Sequence, residues 1–137
     1  MGAEKKKKKT LLAVTLVIVA TFSLVLGPTL GAIAHDFTYH ASLSIGYDQE
    51  SSRFEGRLKT GADCQGRRPV SVFESRPGSD RLVAKDKTNR KGDYAVGNPE
   101  GLTGSFYAHT RISIRGGSFH HHRCKGDRSE TIEITEP

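Results

Sequence analysis

The chain has 137 residues, 35% of them hydrophobic and 26% charged, with a formal net charge of +6. Five lysines and one glutamate lie in the first 34 residues, so 16 basic and 14 acidic groups remain in the rest, an ordinary surface without concentrated phosphate-binding charge. That balance excludes nucleic acid as a partner.

In chain order, the first predicted element is a targeting segment. Lys5 to Lys9 precede an apolar run from Leu11 to Leu26, then Gly27-Pro28 and the small-residue end Ala32-Ile33-Ala34. A basic start, an apolar middle and an A-x-A end are the parts of a secretory signal helix, with cleavage expected between Ala34 and His35. Left uncleaved, the uncharged stretch from Leu11 to Ala34 is long enough to span a bilayer as an anchor. Either way residues 35–137 are expected outside the cytoplasm, as one small domain. Cys64 and Cys124 are the only cysteines. In an exported chain their default is a disulfide, with free or metal-bound thiols as the alternative.

The domain reads as strands. Phe37, Tyr39, Ala41, Leu43, Ile45 and Tyr47 hold every odd position of one half-buried run. Phe54 to Leu58 is the second strand, Val70 and Val72 mark a third entered through Pro69, and Leu82 to Ala84 is the fourth. Tyr94 and Val96 make the fifth. Phe106, Ala108, Thr110, Ile112 and Ile114 form a long sixth, and Ile132 and Ile134 close the seventh. Turn signals separate them: Arg76-Pro77-Gly78-Ser79, Lys91-Gly92-Asp93, Asn98-Pro99-Glu100-Gly101 and Arg115-Gly116-Gly117. No segment carries the helical apolar period, so the expectation is an all-β, seven-stranded sandwich.

From Cys64 to Val96 the chain resembles a known pattern. A cysteine, the basic pair Arg67-Arg68 and Val70-Ser71-Val72-Phe73 are followed by a Pro-Gly turn, an apolar strand and Thr88-Asn89-Arg90-Lys91-Gly92-Asp93-Tyr94-Ala95-Val96. This is similar to the T-D-x-x-G-x-Y-x-V signature of carboxypeptidase regulatory-like domains, with Asn89 where that pattern has aspartate. Gly104 to Ala108, Cys124 and Ser129 to Ile134 extend the likeness over most of residues 50–134. The resemblance implies a transthyretin-like (prealbumin-type) sandwich in which Gly92 permits a turn while Tyr94 and Val96 enter the core. It also implies a non-catalytic spacer, adhesion or accessory role without a cofactor.

Chemistry-bearing residues are few. His120, His121 and His122 lie beside Cys124 in what reads as a Gly-rich loop, where three imidazoles could gather Zn²⁺, Cu²⁺ or Ni²⁺. Cleavage after Ala34 would add the α-amine and ring of His35 to such a set. Strand neighbours point to opposite faces, so presenting all three loop histidines requires rearrangement. His40 and His109 both read as outward-facing, and their imidazoles could meet if the two strands are neighbours, which the sequence does not set. Asp86, Asn89 and Asp93 do not match an EF-hand, and the intervening Lys85, Lys87, Arg90 and Lys91 oppose calcium. Arg67, Arg68, Arg76 and Arg81 could form a mild basic patch for an acidic glycan or an anionic envelope surface. No G-x-S-x-G, H-E-x-x-H or C-x-x-C motif occurs. The expected function is therefore a non-enzymatic secreted or surface-tethered module that meets an extracellular protein or envelope glycan. The alternative is an exported Cu- or Zn-binding protein.

Overall fold

A computed structural model describes residues 35–135. The expected signal segment with its expected cleavage after Ala34, and the last two residues, lie outside the described residues. The described residues form twelve short strands and one helical turn. They are β1 (His35–Tyr39), β2 (Ser42–Leu43), β3 (Gly46–Asp48), β4 (Arg53–Lys59), α1 (Ala62–Gln65), β5 (Pro69–Glu74), β6 (Arg81–Lys87) and β7 (Asp93–Gly97). β8 (Gly104–Thr110), β9 (Ser113–Gly117), β10 (His120–Cys124), β11 (Asp127–Arg128) and β12 (Ile132–Ile134) follow. No helix among them is long and apolar enough to cross a membrane.

Two sheets make the main body. One runs β2-β4-β3 with β7 on the other side of β4, and the second runs β11-β8-β5-β6 with β12 also on β8. Alternation drives the packing: Leu43, Phe54, Leu58, Tyr94 and Val96 of the first sheet meet Val70, Val72, Phe106, Ala108 and Ile134 of the second. The rings of Phe54 and Phe106, both fully buried, lie 5.0 Å apart across this interface. A third sheet, β1-β10-β9, carries β1 parallel to β10.

Twelve strands replace the expected seven because polar groups interrupt the ladders. The run expected from Phe37 to Tyr47 divides after Tyr39. Its first part joins the third sheet, where Tyr39 accepts the Lys125 amide at 2.9 Å. Its remainder holds a single register against β4, broken where the Ser44 hydroxyl takes the Arg57 amide at 3.0 Å. Buried Tyr94 donates its hydroxyl to the Ser44 carbonyl at 2.7 Å, and burial pushes that hydroxyl's pKa up. The same device separates β11 from β12, where the Ser129 hydroxyl accepts the Ala108 amide at 2.8 Å.

The expected sixth strand also divides. Phe106, Ala108 and Thr110 are buried as the pattern requires, but Ile112 and Ile114 are 56% and 68% exposed because the chain leaves the main sheet at Arg111.

The Lys91-Gly92-Asp93 turn behaves as the sequence implies. Asn89 Oδ1 accepts the amides of Lys91 and Asp93 at 2.8 and 3.0 Å, which closes the turn. Gly92 sits at φ +86, and a Cβ there would collide with the Leu58 carbonyl oxygen. Gly92→Ala is expected to cost about 2–3 kcal/mol. Chemical denaturation would show it as an earlier midpoint at unchanged slope.

Candidate functional site: the small sheet

The β1-β10-β9 sheet gathers most of the side chains that the main core leaves unused. β9 and β10 form a hairpin closed by Ser118 and Phe119, with Gly117 opposite His120 and Ser113 opposite Cys124. β1 adds to β10 with His35 opposite His120, Asp36 opposite His121 and Phe37 opposite His122. Register partners share a face. One face therefore carries His35, Phe37, Tyr39, His120, His122, Cys124 and Arg115. The other carries Asp36, Thr38, His121, Arg123 and Ile114.

The first face is anchored to α1. The Cys64–Cys124 disulfide, both of whose residues are fully buried, spans 5.4 Å between Cα atoms and 60 residues of chain. Such a bond forms and persists in oxidising compartments. Asp63 of α1 gathers the neighbouring groups. The Tyr39 hydroxyl donates to its carboxylate at 3.4 Å, Arg115 donates to its backbone carbonyl at 3.2 Å, and His122 Nδ1 lies 3.3 Å from Oδ2. That last contact is not aligned as a hydrogen bond, so Nδ1 is a buried nitrogen without a hydrogen-bond partner. The His122 ring is held between Phe37 and Tyr39, with centroids at 5.8 and 5.7 Å. Gly61 makes room for Tyr39, since a Cβ there would collide with the tyrosine ring.

The opposite face is open. Asp36 Oδ1 lies 3.4 Å from His121 Nδ1, and a concavity of about 360 Å³ is lined by Asp36, Thr38, Ile114, His121 and Arg123. Of the five exposed large hydrophobic residues among the described residues, Phe37, Ile112, Ile114 and Phe119 belong to this sheet or its connections, and Leu82 lies elsewhere.

Several sequence expectations are corrected here. His120, His121 and His122 do not form a loop but strand β10, because β1 and β9 flank it and complete its ladder on both sides. The alternation then sends His121 away from the other two. Among the described residues no group of three or more His, Cys, Asp or Glu side chains is arranged to hold a metal ion. His40 and His109 lie on elements that do not pair: His40 follows β1, whereas His109 lies in β8 opposite Ser71 and Arg128, its ring edge-on to Phe73 at 6.5 Å.

The four arginines form no patch. β5, about 20 Å long, separates Arg67 and Arg68 from Arg76 and Arg81. Arg76 pairs with Glu74 at 2.6 Å and Arg81 with Glu100 at 2.5 Å. Asp93, considered for calcium, is taken by Arg57 at 2.5 Å and by Asn89 at 3.2 Å, and those hydrogen bonds hold its carboxyl below the usual range.

What the sequence did not show is the role of Arg68, read there as part of a surface patch. It is 0% exposed. Its guanidinium donates to the carbonyls of Cys64, Arg111 and Lys125 at 3.3, 2.7 and 3.0 Å and to the Thr110 hydroxyl at 3.5 Å. Burial, and then the Arg115 charge, push its pKa below the ordinary arginine value. By holding the Arg111 carbonyl it turns the chain out of β8 toward β9, and it ties α1 to the strand end after β10. Nothing in the spacing of Arg67-Arg68-Pro69 announces this, although a residue directly before a core strand is placed to reach inward.

No family model, curated protein or solved structure matches the chain.

Proposed function

We propose that this chain is an exported, non-enzymatic binding module of transthyretin-like type, and that it docks a protein through the open face of the small sheet. The observation that carries this reading is the exposed aliphatic surface there: Ile114, 68% exposed, lines the concavity with His121 and Arg123, and Ile112, 56% exposed, stands two residues before it in the connection from β8. Branched aliphatics suit a protein surface better than a glycan, which prefers aromatic platforms and polar hydrogen bonds. Arg123, which lines the concavity, has no ion-pair partner among the described residues, so the complementary surface is acidic and apolar. The fold resemblance, the pair of packed sheets and the buried disulfide support an extracytoplasmic scaffold.

The test is binding of the purified chain to the surface of cells of its source organism. Ile112→Ser combined with Ile114→Ser should remove most of the binding, while Leu82→Ser should leave it intact and all variants should melt alike. Equal binding by the double variant would place the contact elsewhere. Binding that disappears after glycan removal but survives protease treatment would replace the protein partner with a glycan.

A further inference from the structure

We propose that His35 and His120 form a cross-strand site for one borderline divalent transition-metal ion, of the class of Cu²⁺, Ni²⁺ and Zn²⁺. The site lies on the face of the small sheet opposite the docking surface, so it does not depend on that reading.

The two histidines are register partners in neighbouring parallel strands, which places their side chains on the same face at the ordinary inter-strand spacing of about 4.7–4.9 Å. Their rings stand 6.2 Å apart between centroids and 14° from parallel. A metal bound to nitrogen at about 2.0–2.1 Å in tetrahedral geometry holds two imidazole centroids roughly 5 Å apart. Closing the pair by about 1 Å with rotation of both rings therefore suffices, and both residues are exposed and free to rotate. The His35 amide is fixed to the Phe119 carbonyl at 3.3 Å, so β1 holds its register beside His120 without the metal.

The surroundings suit a cation with open coordination positions. Gly117, the partner of His120 on β9, has no side chain, and a Cβ built there meets nothing within 4 Å. The nearest cation on that face, Arg115, is turned to the Asp63 carbonyl. Solvent would fill the remaining positions, and neutral imidazole is a ligand this metal class favours.

Neither neighbouring histidine replaces the pair. His121 points to the other face beside Asp36, and His122 is held between Phe37 and Tyr39 with its side chain 20% exposed.

Titration of the full-length chain with Zn²⁺, read by calorimetry and by histidine NMR signals, tests the pair. One equivalent is expected to bind. His35→Ala and His120→Ala should each weaken it by on the order of a hundredfold, while His121→Ala and His122→Ala should leave it unchanged. Metal-free melting temperatures should agree across the set, since both ligands are exposed. Loss in His120→Ala and His122→Ala with His35→Ala unaffected would assign the metal to a chelate along β10 and overturn the cross-strand site. Absence of saturable binding, or equal weakening by every variant, would overturn it as well.

Discussion

Replacing both Cys64 and Cys124 by alanine is expected to lower the melting temperature by roughly 15–30 °C. The bond closes a 60-residue separation. The chain-entropy model assigns about 4 kcal/mol to a loop of that length, and each kcal/mol shifts the midpoint of a domain this size by about 4–8 °C. The native state adds a reason for the upper end: Cys124 joins α1 directly to β10, the central strand of the small sheet. Loss of the bond releases that sheet from α1 as well as loosening the unfolded chain. Differential scanning calorimetry of the wild type with and without reductant, beside the double variant, measures the effect. A melt unchanged by removal of both cysteines would mean that Asp63 and Arg68 alone hold the two parts together.

Arg68→Met is expected to cost about 3 kcal/mol, comparable to loss of the disulfide. A hydrogen bond from a charged donor contributes about 1.5–3 kcal/mol, and each buried acceptor left without a partner costs about 1–3 kcal/mol. Arg68 serves three carbonyls at once, those of Cys64, Arg111 and Lys125. Desolvation of an arginine that faces no carboxylate offsets part of this, which keeps the net below the sum. Methionine retains the apolar volume of the stem, so the variant isolates the loss of the guanidinium. Arg68→Lys should recover only part, because a point ammonium cannot reach three carbonyls set around a planar fork. Urea denaturation of both variants supplies the measurement, and a loss under 1 kcal/mol in Arg68→Met would show that water satisfies those carbonyls instead. Because Arg68 bonds the carbonyl of a disulfide cysteine, its loss and that of the disulfide should combine to less than their sum.

The core was legible from alternation. Leu43, Phe54, Leu58, Val70, Val72, Tyr94, Val96, Phe106, Ala108 and Ile134 all came from period-two runs, and all are buried. Cys64 and Cys124 were legible as a pair from their isolation in the chain. The breaks between strands were not, because Ser44 and Ser129 interrupt ladders through hydroxyl bonds to partners 13 and 21 residues away. Ile112 and Ile114 continue a strand pattern faultlessly in sequence, yet they leave the sheet because Arg68 captures the Arg111 carbonyl 43 residues from itself. The small sheet was hidden for a related reason: a parallel pairing of β1 with β10 joins residues 85 positions apart, and no local pattern encodes it. Three consecutive histidines between glycines and a cysteine resemble a loop until that pairing is known.

The covalent bond also sets the chain's connectivity under attack. The turn from Ser75 to Asp80 is exposed and lies inside the segment bounded by Cys64 and Cys124. A single proteolytic cut there opens a ring instead of severing a chain. Both pieces stay linked through the disulfide, and β5 and β6 remain held by their ladder on either side of the cut. The domain can therefore be nicked at this exposed turn and still keep its sheets together.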